Sequence, residues 1–376
     1  MLSSRRHILK WTGLALALSV MGSGAQAQDM DNWLRFGKVF TSTNAANNEL
    51  LVYSRDESGA LKLVAKAATN GQGTGAGLGS QGAVTLSQDG RFIFVVNAHS
   101  NTVTTFALHG RDLRLMSVVD SGGLGPVSVT EHEGLVYVLN AQGAGNIAGF
   151  RNHHGTLTPV SGSHGALSAS GGTGPAQVGF SSDGDVLVVT EKATNKLVTY
   201  RVKADGGVGA PVVTLSAGAT PFGFAFDHRD HLIVSEAVGG AVNASTASSY
   251  KFTDWMSARP TLVSGQVATT QTAACWVAIT PNGKFAYTTN AGSGSVSSFA
   301  ITPMSGRITL SQAVAGTTGA GSAPIDAAVS ADGRSLYVLG AKSLAISSFE
   351  IQRDGQLISG AVAGGLPVGT VGLAAN

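Results

Sequence analysis

Gly174-Pro175-Ala176-Gln177-Val178-Gly179-Phe180, Ser182-Asp183-Gly184, Val186-Leu187-Val188-Val189 and Leu197-Val198-Thr199-Tyr200 follow one another within 27 residues. Short apolar runs bounded by Gly, Asp or Asn are the pattern of strands joined by tight turns. The same order recurs along the chain. Around Asp89-Gly90 it gives Phe92-Ile93-Phe94-Val95-Val96-Asn97 and then Thr102-Val103-Thr104-Thr105-Phe106. Around Asn282-Gly283 it gives Phe285-Ala286-Tyr287-Thr288-Thr289-Asn290 and Val296-Ser297-Ser298-Phe299. Around Asp332-Gly333 it gives Leu336-Tyr337-Val338-Leu339-Gly340 and Ile346-Ser347-Ser348-Phe349. The Asp-Gly and Asn-Gly pairs predict a hairpin between the first two strands, because glycine takes positive φ at little cost.

One aromatic marks each copy: Tyr53, Phe106, Phe150, Tyr200, Tyr250, Phe299 and Phe349, at intervals of 53, 44, 50, 50, 49 and 50 residues. A four-stranded sheet of this kind cannot bury both faces alone, so repeats of this length stack radially. The fold predicted is all-β: a seven-bladed β-propeller of four-stranded antiparallel sheets. The first copy, from Val39, begins directly with its second strand, and the chain ends on Leu366-Pro367-Val368-Gly369-Thr370-Val371, which reads like a first strand. The C-terminal strand should therefore complete the N-terminal blade and hide the sheet edges. Gly71 to Gly79 and Ser161 to Gly174 are Gly/Ser-rich and read as loops between copies.

Composition agrees. The chain has 376 residues, 51 of them glycine, and only 12% are charged, which excludes coiled coils and long exposed helices. Residues 1–27 hold Arg5, Arg6 and Lys10 and no acid; without them 21 basic face 22 acidic residues, no surface for nucleic acid. Ser4-Arg5-Arg6-His7-Ile8-Leu9-Lys10, a short apolar run and Ala25-Gln26-Ala27 resemble a twin-arginine signal peptide. The domains expected are thus residues 1–27 as leader and 28–376 as propeller. The expected address is periplasmic or secreted, in a bacterium. The export machinery is then a partner, the protein is exported folded, and no membrane span remains after cleavage. The single cysteine, Cys275, leaves no internal disulfide. Metal-ligand spacings and phosphate loops are absent, so no cofactor is expected.

In a propeller, the loops after the second strands and before the first strands share one face, at the mouth of the channel. The positions ending successive second strands are Asn97, Asn140, Glu191, Glu236, Asn290 and Gly340. With His99, Gln177, Trp276 and Asp326 they make a ring suited to a small polar ligand. Bland readings stand beside these. The Asn residues also suit turns, and Glu191 serves equally as a partner of Lys192 or a cap on a neighbouring loop. Trp276 and Cys275 read as packing, and His99 as solvated. Asp326 on an inner strand is the least comfortable as filler, since an unpaired buried carboxylate is costly.

The phrasing Ser-Asp-Gly-Arg and Val-Asn-Ala-x-Ser-Asn-x-Val-x-x-Phe resembles the lactonase family of seven-bladed propellers, over roughly Val39 to Leu373. The resemblance implies hydrolysis of a small lactone or ester and matches the family's Glu to Glu191, expected to act as general base, with Lys192 or the ring amide Asn140 as the candidate to stabilise the oxyanion. It also implies a His and two Arg; their positions fall at Val127, Ala176 and near Ala291, so the cations a phosphate needs are missing. A non-catalytic periplasmic propeller that binds a ligand or protein is the competing reading. A redox propeller with a quinone or metal is a third.

Overall fold

The computed structural model describes residues 37–376 except Arg111 and Trp255. The leader assigned to residues 1–27 lies outside the described residues. The rest forms seven antiparallel sheets, six of four strands and one of five. From the axis outward, blade 1 runs Val371–Ala375, Lys38–Ser42, Glu49–Arg55 and Leu61–Ala68. Blade 2 runs Val84–Leu86, Phe92–Asn97, Thr102–His109 and Asp112–Asp120. The innermost strands of blades 3 to 7 are Leu124–His132, Pro175–Phe180, Pro221–Phe226, Ala274–Ile279 and Pro324–Val329. Each inner strand touches that of the next blade, and Val371–Ala375 touches both Pro324–Val329 and Val84–Leu86. The ring is therefore closed by the last strand of the chain, as the sequence pattern predicts. Arg55 and Asp332 form an ion pair across the same seam.

Each of the seven marker aromatics is buried in a different apolar cluster between blades. That explains the regular interval: every seam needs one large ring at the same radius. The hairpin glycines behave as their sequence requires. Gly184, with φ +79, closes a turn in which its N–H donates to Ser181 O at 3.0 Å. Three tyrosines tie seams at that end: the hydroxyls of Tyr137, Tyr287 and Tyr337 donate to the carbonyls of Gly206, Gly355 and Gly59 at 2.7, 2.9 and 3.1 Å. Blade 3 departs from four strands because its outer strand splits into Thr156–Pro159 and Gly165–Ala166. Between them the Ser163 hydroxyl bonds both the N–H and the carbonyl of Gly149, replacing the missing ladder partner.

A larger departure lies on the axis. The inner strand of blade 2 has only three residues, and the segment before it leaves the blade and enters the channel. There Gln81 N donates to Ala176 O at 3.0 Å, and Ser80 Oγ donates to Val127 O at 2.8 Å. The Gln81 amide reaches across the ring, donating to Val277 O at 2.8 Å and accepting from Val277 N at 3.2 Å. The Gly/Ser-rich stretch read as a loop thus ends in a plug bonded to blades 3, 4 and 6.

Candidate active site in the central channel

The ring of residues ending the second strands does not face the axis. Glu191 is fully buried between blades 3 and 4, where Ser168 N donates to Oε1 at 2.8 Å and the Ser168 and Thr194 hydroxyls donate to Oε2. Glu236 is fully buried between blades 4 and 5, accepting from Gly218 N at 2.8 Å and from the Thr246 hydroxyl. Burial raises the Glu236 carboxyl above the usual carboxylate range, against the hydrogen bonds that lower it. Asn97 accepts from Asn48 Nδ2 at 2.9 Å and Thr69 Oγ1 at 2.8 Å, and donates to Thr104 Oγ1 at 2.9 Å. Asn140 donates to Ser121 O at 3.1 Å, and Asn290 to the hydroxyls of Ser295 and Ser297 at 3.1 and 2.9 Å.

One physical role unites several of these positions: the side chain reaches the connection arriving from the preceding blade. Small residues let it approach. A Cβ on Gly71 would lie 2.2 Å from Asn97, one on Gly123 2.7 Å from Asn140, and one on Gly218 2.3 Å from Glu236. The expectation of a ligand-facing ring therefore gives way to a set of seam staples, because a strand's terminal residue points at the neighbouring blade and not at the axis. Glu191→Gln should act mainly on stability: the amide offers one acceptor where the carboxylate meets three donors. A drop of roughly 1–3 kcal/mol in unfolding free energy is expected from denaturant melts.

The expected mouth is occupied by the plug. Lys192 Nζ donates to Gly79 O and sits 4.5 Å from the centre of the Phe222 ring. Phe222 packs at a tilt against Trp276, ring centres 4.8 Å apart, and Trp276 Nε1 donates to Ser80 O at 2.9 Å. Burial pulls the Lys192 ammonium down to about 8 and pushes the adjacent Cys275 thiol up to about 12. Trp276 and Lys192 are thus plug contacts. His99 is exposed on the same face, its backbone N–H donating to Gln72 O at 3.0 Å.

Below the plug the channel is open. A cavity of about 360 Å³ runs from Gln81 and Gly82 to the far ends of the inner strands, at Leu86, Phe180, Phe226, Val329 and Ala375. It opens on the face opposite the one expected. Gln177 lines it, with its amide bridging Phe224: N donates to Oε1 at 2.7 Å and Nε2 donates to O at 3.0 Å. Asp326 lines it too, 1% exposed. Ala327 N donates to Asp326 Oδ1 at 2.8 Å, while Oδ2 has no hydrogen-bond partner among the described residues. Burial pushes this carboxyl up to about 8, against the amides of Ala327, Leu373 and Gly82, which favour the charged form. It is the one titratable side chain among the residues lining the cavity. A buried carboxyl that lines a cavity on the axis and leaves one oxygen without a hydrogen bond is a candidate proton-transfer group.

The profile described as lactonase, 7-bladed beta-propeller, matches residues 36–166 and 238–368. The chain belongs to the lactonase family of seven-bladed propellers. Solved structures share its fold. A periplasmic gluconolactonase from Pseudomonas aeruginosa is 17% identical, with a TM-score of 0.67 over 89% of this chain and 98% of that one. A candidate 6-phosphogluconolactonase from Bacteroides uniformis is 17% identical, with a TM-score of 0.69 over 89% and 99%. A protein from Lactobacillus plantarum is 17% identical, with a TM-score of 0.70 over 90% and 99%. No curated protein matches the sequence significantly.

Gln177, Glu191, Lys192 and Glu236 all fall in residues 167–237, between the two matched stretches. The positions where the resemblance implies His and Arg are apolar: Val127 and Ala176 are buried, and Ala291 packs beside Trp276. Sequence reasoning singled out Asp326 but missed Gln81 and the plug. A signal was present, since the interval from Tyr53 to Phe106 is the longest of the six. Among the described residues no three His, Cys, Asp or Glu side chains could hold a metal ion, and no helix is long and apolar enough to cross a membrane.

Proposed function

We propose that this protein hydrolyses a small uncharged lactone inside the channel, entered from the face opposite the plug. The observation that carries the reading is the position of Asp326 in a lactonase-family fold: a buried carboxyl lining the closed end of the cavity, with no hydrogen bond to its Oδ2. In its ionised form Asp326 takes a proton from water as the water oxygen attacks the ring carbonyl. The amides of Ala327, Leu373 and Gly82 favour the ionised Asp326 that accepts this proton. The acyl C–O bond then breaks, and Asp326 returns the proton to the leaving ring oxygen. The product is the open hydroxy acid, which ionises and is repelled by the carboxylate.

The cavity lining contains no Lys, Arg or His. A phosphorylated lactone would place a dianion beside Asp326 with no cation to meet it, so this substrate class is disfavoured. Glu191 in this reading holds the seam behind Gln177, and Lys192 holds the plug. Read as a twin-arginine leader, residues 1–27 support a folded domain that acts in the periplasm or beyond, and the periplasmic name of the Pseudomonas aeruginosa neighbour is in keeping with this reading. The test is turnover by the purified mature chain, followed by pH-stat. Neutral five- and six-membered lactones should be opened, and 6-phosphogluconolactone at least about tenfold less efficiently. Saturable binding of neutral lactones without turnover would instead establish the non-catalytic reading.

A further inference from the structure

The cavity is polarised along its length. Its closed end holds Asp326 and the amides of Gln81 and Gln177, while its open end is a collar of Leu86, Phe180, Phe226, Val329 and Ala375. Packing holds the two aromatic rings of the collar. Phe180 lies edge-on to Tyr137 at 5.8 Å, and Phe226 lies against Phe252 at 6.0 Å and Phe224 at 6.1 Å. Leu86, Phe180, Phe226 and Val329 are all half-buried, so each still offers apolar surface to whatever occupies the opening. A sugar lactone would set its hydroxyls against this collar and leave them unpaired, which is unfavourable. A ring carrying a hydrocarbon chain would match both ends.

We infer that the substrate class is a lactone bearing an aliphatic tail, its ring at Asp326 and its tail lying in the collar. This rests on the lactone reading above and narrows it. Size supports it. At about 30 Å³ per non-hydrogen atom, the 360 Å³ hollow holds about a dozen such atoms. A six-membered lactone uses roughly seven, which leaves room for a chain of about five carbons before the tail emerges into solvent. Each methylene that moves from water into the collar should raise affinity about three- to fourfold, and methylenes beyond the rim should add little.

The experiment is a chain-length series of δ-lactones with tails from none to eight carbons, assayed for kcat/KM. Binding of 2-alkylcyclohexanones, which have the ring and tail but cannot be hydrolysed, is measured alongside by calorimetry. The expected result is a rise of about threefold per carbon up to about five carbons, then a plateau, in both series. Phe226→Ala and the near-isosteric Val329→Thr should each flatten the slope; the second keeps the packing volume should the first fold poorly. Turnover that is flat or falling with tail length would overturn the tail assignment and leave the lactone reading standing. Absence of turnover with every lactone would overturn the lactone reading, and the ketone series would still decide the tail. A wild-type ketone slope of zero would overturn it outright.

Discussion

Deleting residues 371–376 should leave little or no folded protein. The last strand is the innermost strand of the first blade, and its register pairs Val39 with Ala375, Phe40 with Ala374 and Ser42 with Val371. It joins three apolar clusters at once, through Val371, Leu373 and Ala374. Burying a Val or Leu side chain is worth about 1.5–3 kcal/mol, so Val371 and Leu373 alone contribute on the order of 5 kcal/mol. That is the size of the whole stability of many domains. Deletion also bares the edge of Lys38–Ser42, a buried strand, towards the axis and invites pairing with other chains. It breaks the bond from Thr41 Oγ1 to Val371 O at 3.2 Å and that from Asn376 N to Lys38 O at 3.0 Å. Soluble yield and thermal melts of the truncated chain test this. A melting temperature within a few degrees of the full chain would show that six sheets and an incomplete seventh hold without closure.

Asp326→Asn should separate activity from stability in opposite directions. Losing a general base typically lowers turnover about 10²- to 10⁴-fold. Before that loss, the wild-type rate should rise with pH to a plateau set by a group titrating at about 8. Stability moves the other way. The unfolded carboxyl titrates near 3.9, and the folded one at about 8. Between those values the folded state holds a proton that the unfolded state has lost. The contribution of Asp326 to wild-type stability is therefore greatest below about pH 4 and falls as pH rises towards 8. The asparagine variant lacks this dependence, and at pH 8 it should melt several degrees above the wild type. A variant that loses both activity and stability would make Asp326 a packing group, and one that keeps full turnover would end its role as base.

The architecture was legible because its evidence is local. Three of the four strands in most blades are joined by short hairpins, so Asp-Gly turns, apolar runs and one buried aromatic per copy report pairing between residues close along the chain. The closing strand was also readable, since a first-strand pattern stood alone at the C-terminus. The direction of the end-of-strand side chains was not. Glu191 and Asn97 have the composition of a binding ring, and only the angle between neighbouring blades shows that they serve the seams. The plug showed only as an over-long interval between Tyr53 and Phe106, and its partners did not show at all. Gln81 meets Val277 across 196 residues, and nothing in the Gly-rich stretch before it encodes that distant partner. A channel is bounded by strands from every blade, so the end that stays open, and the carboxyl buried in its lining, emerge only when all seven stand around one axis.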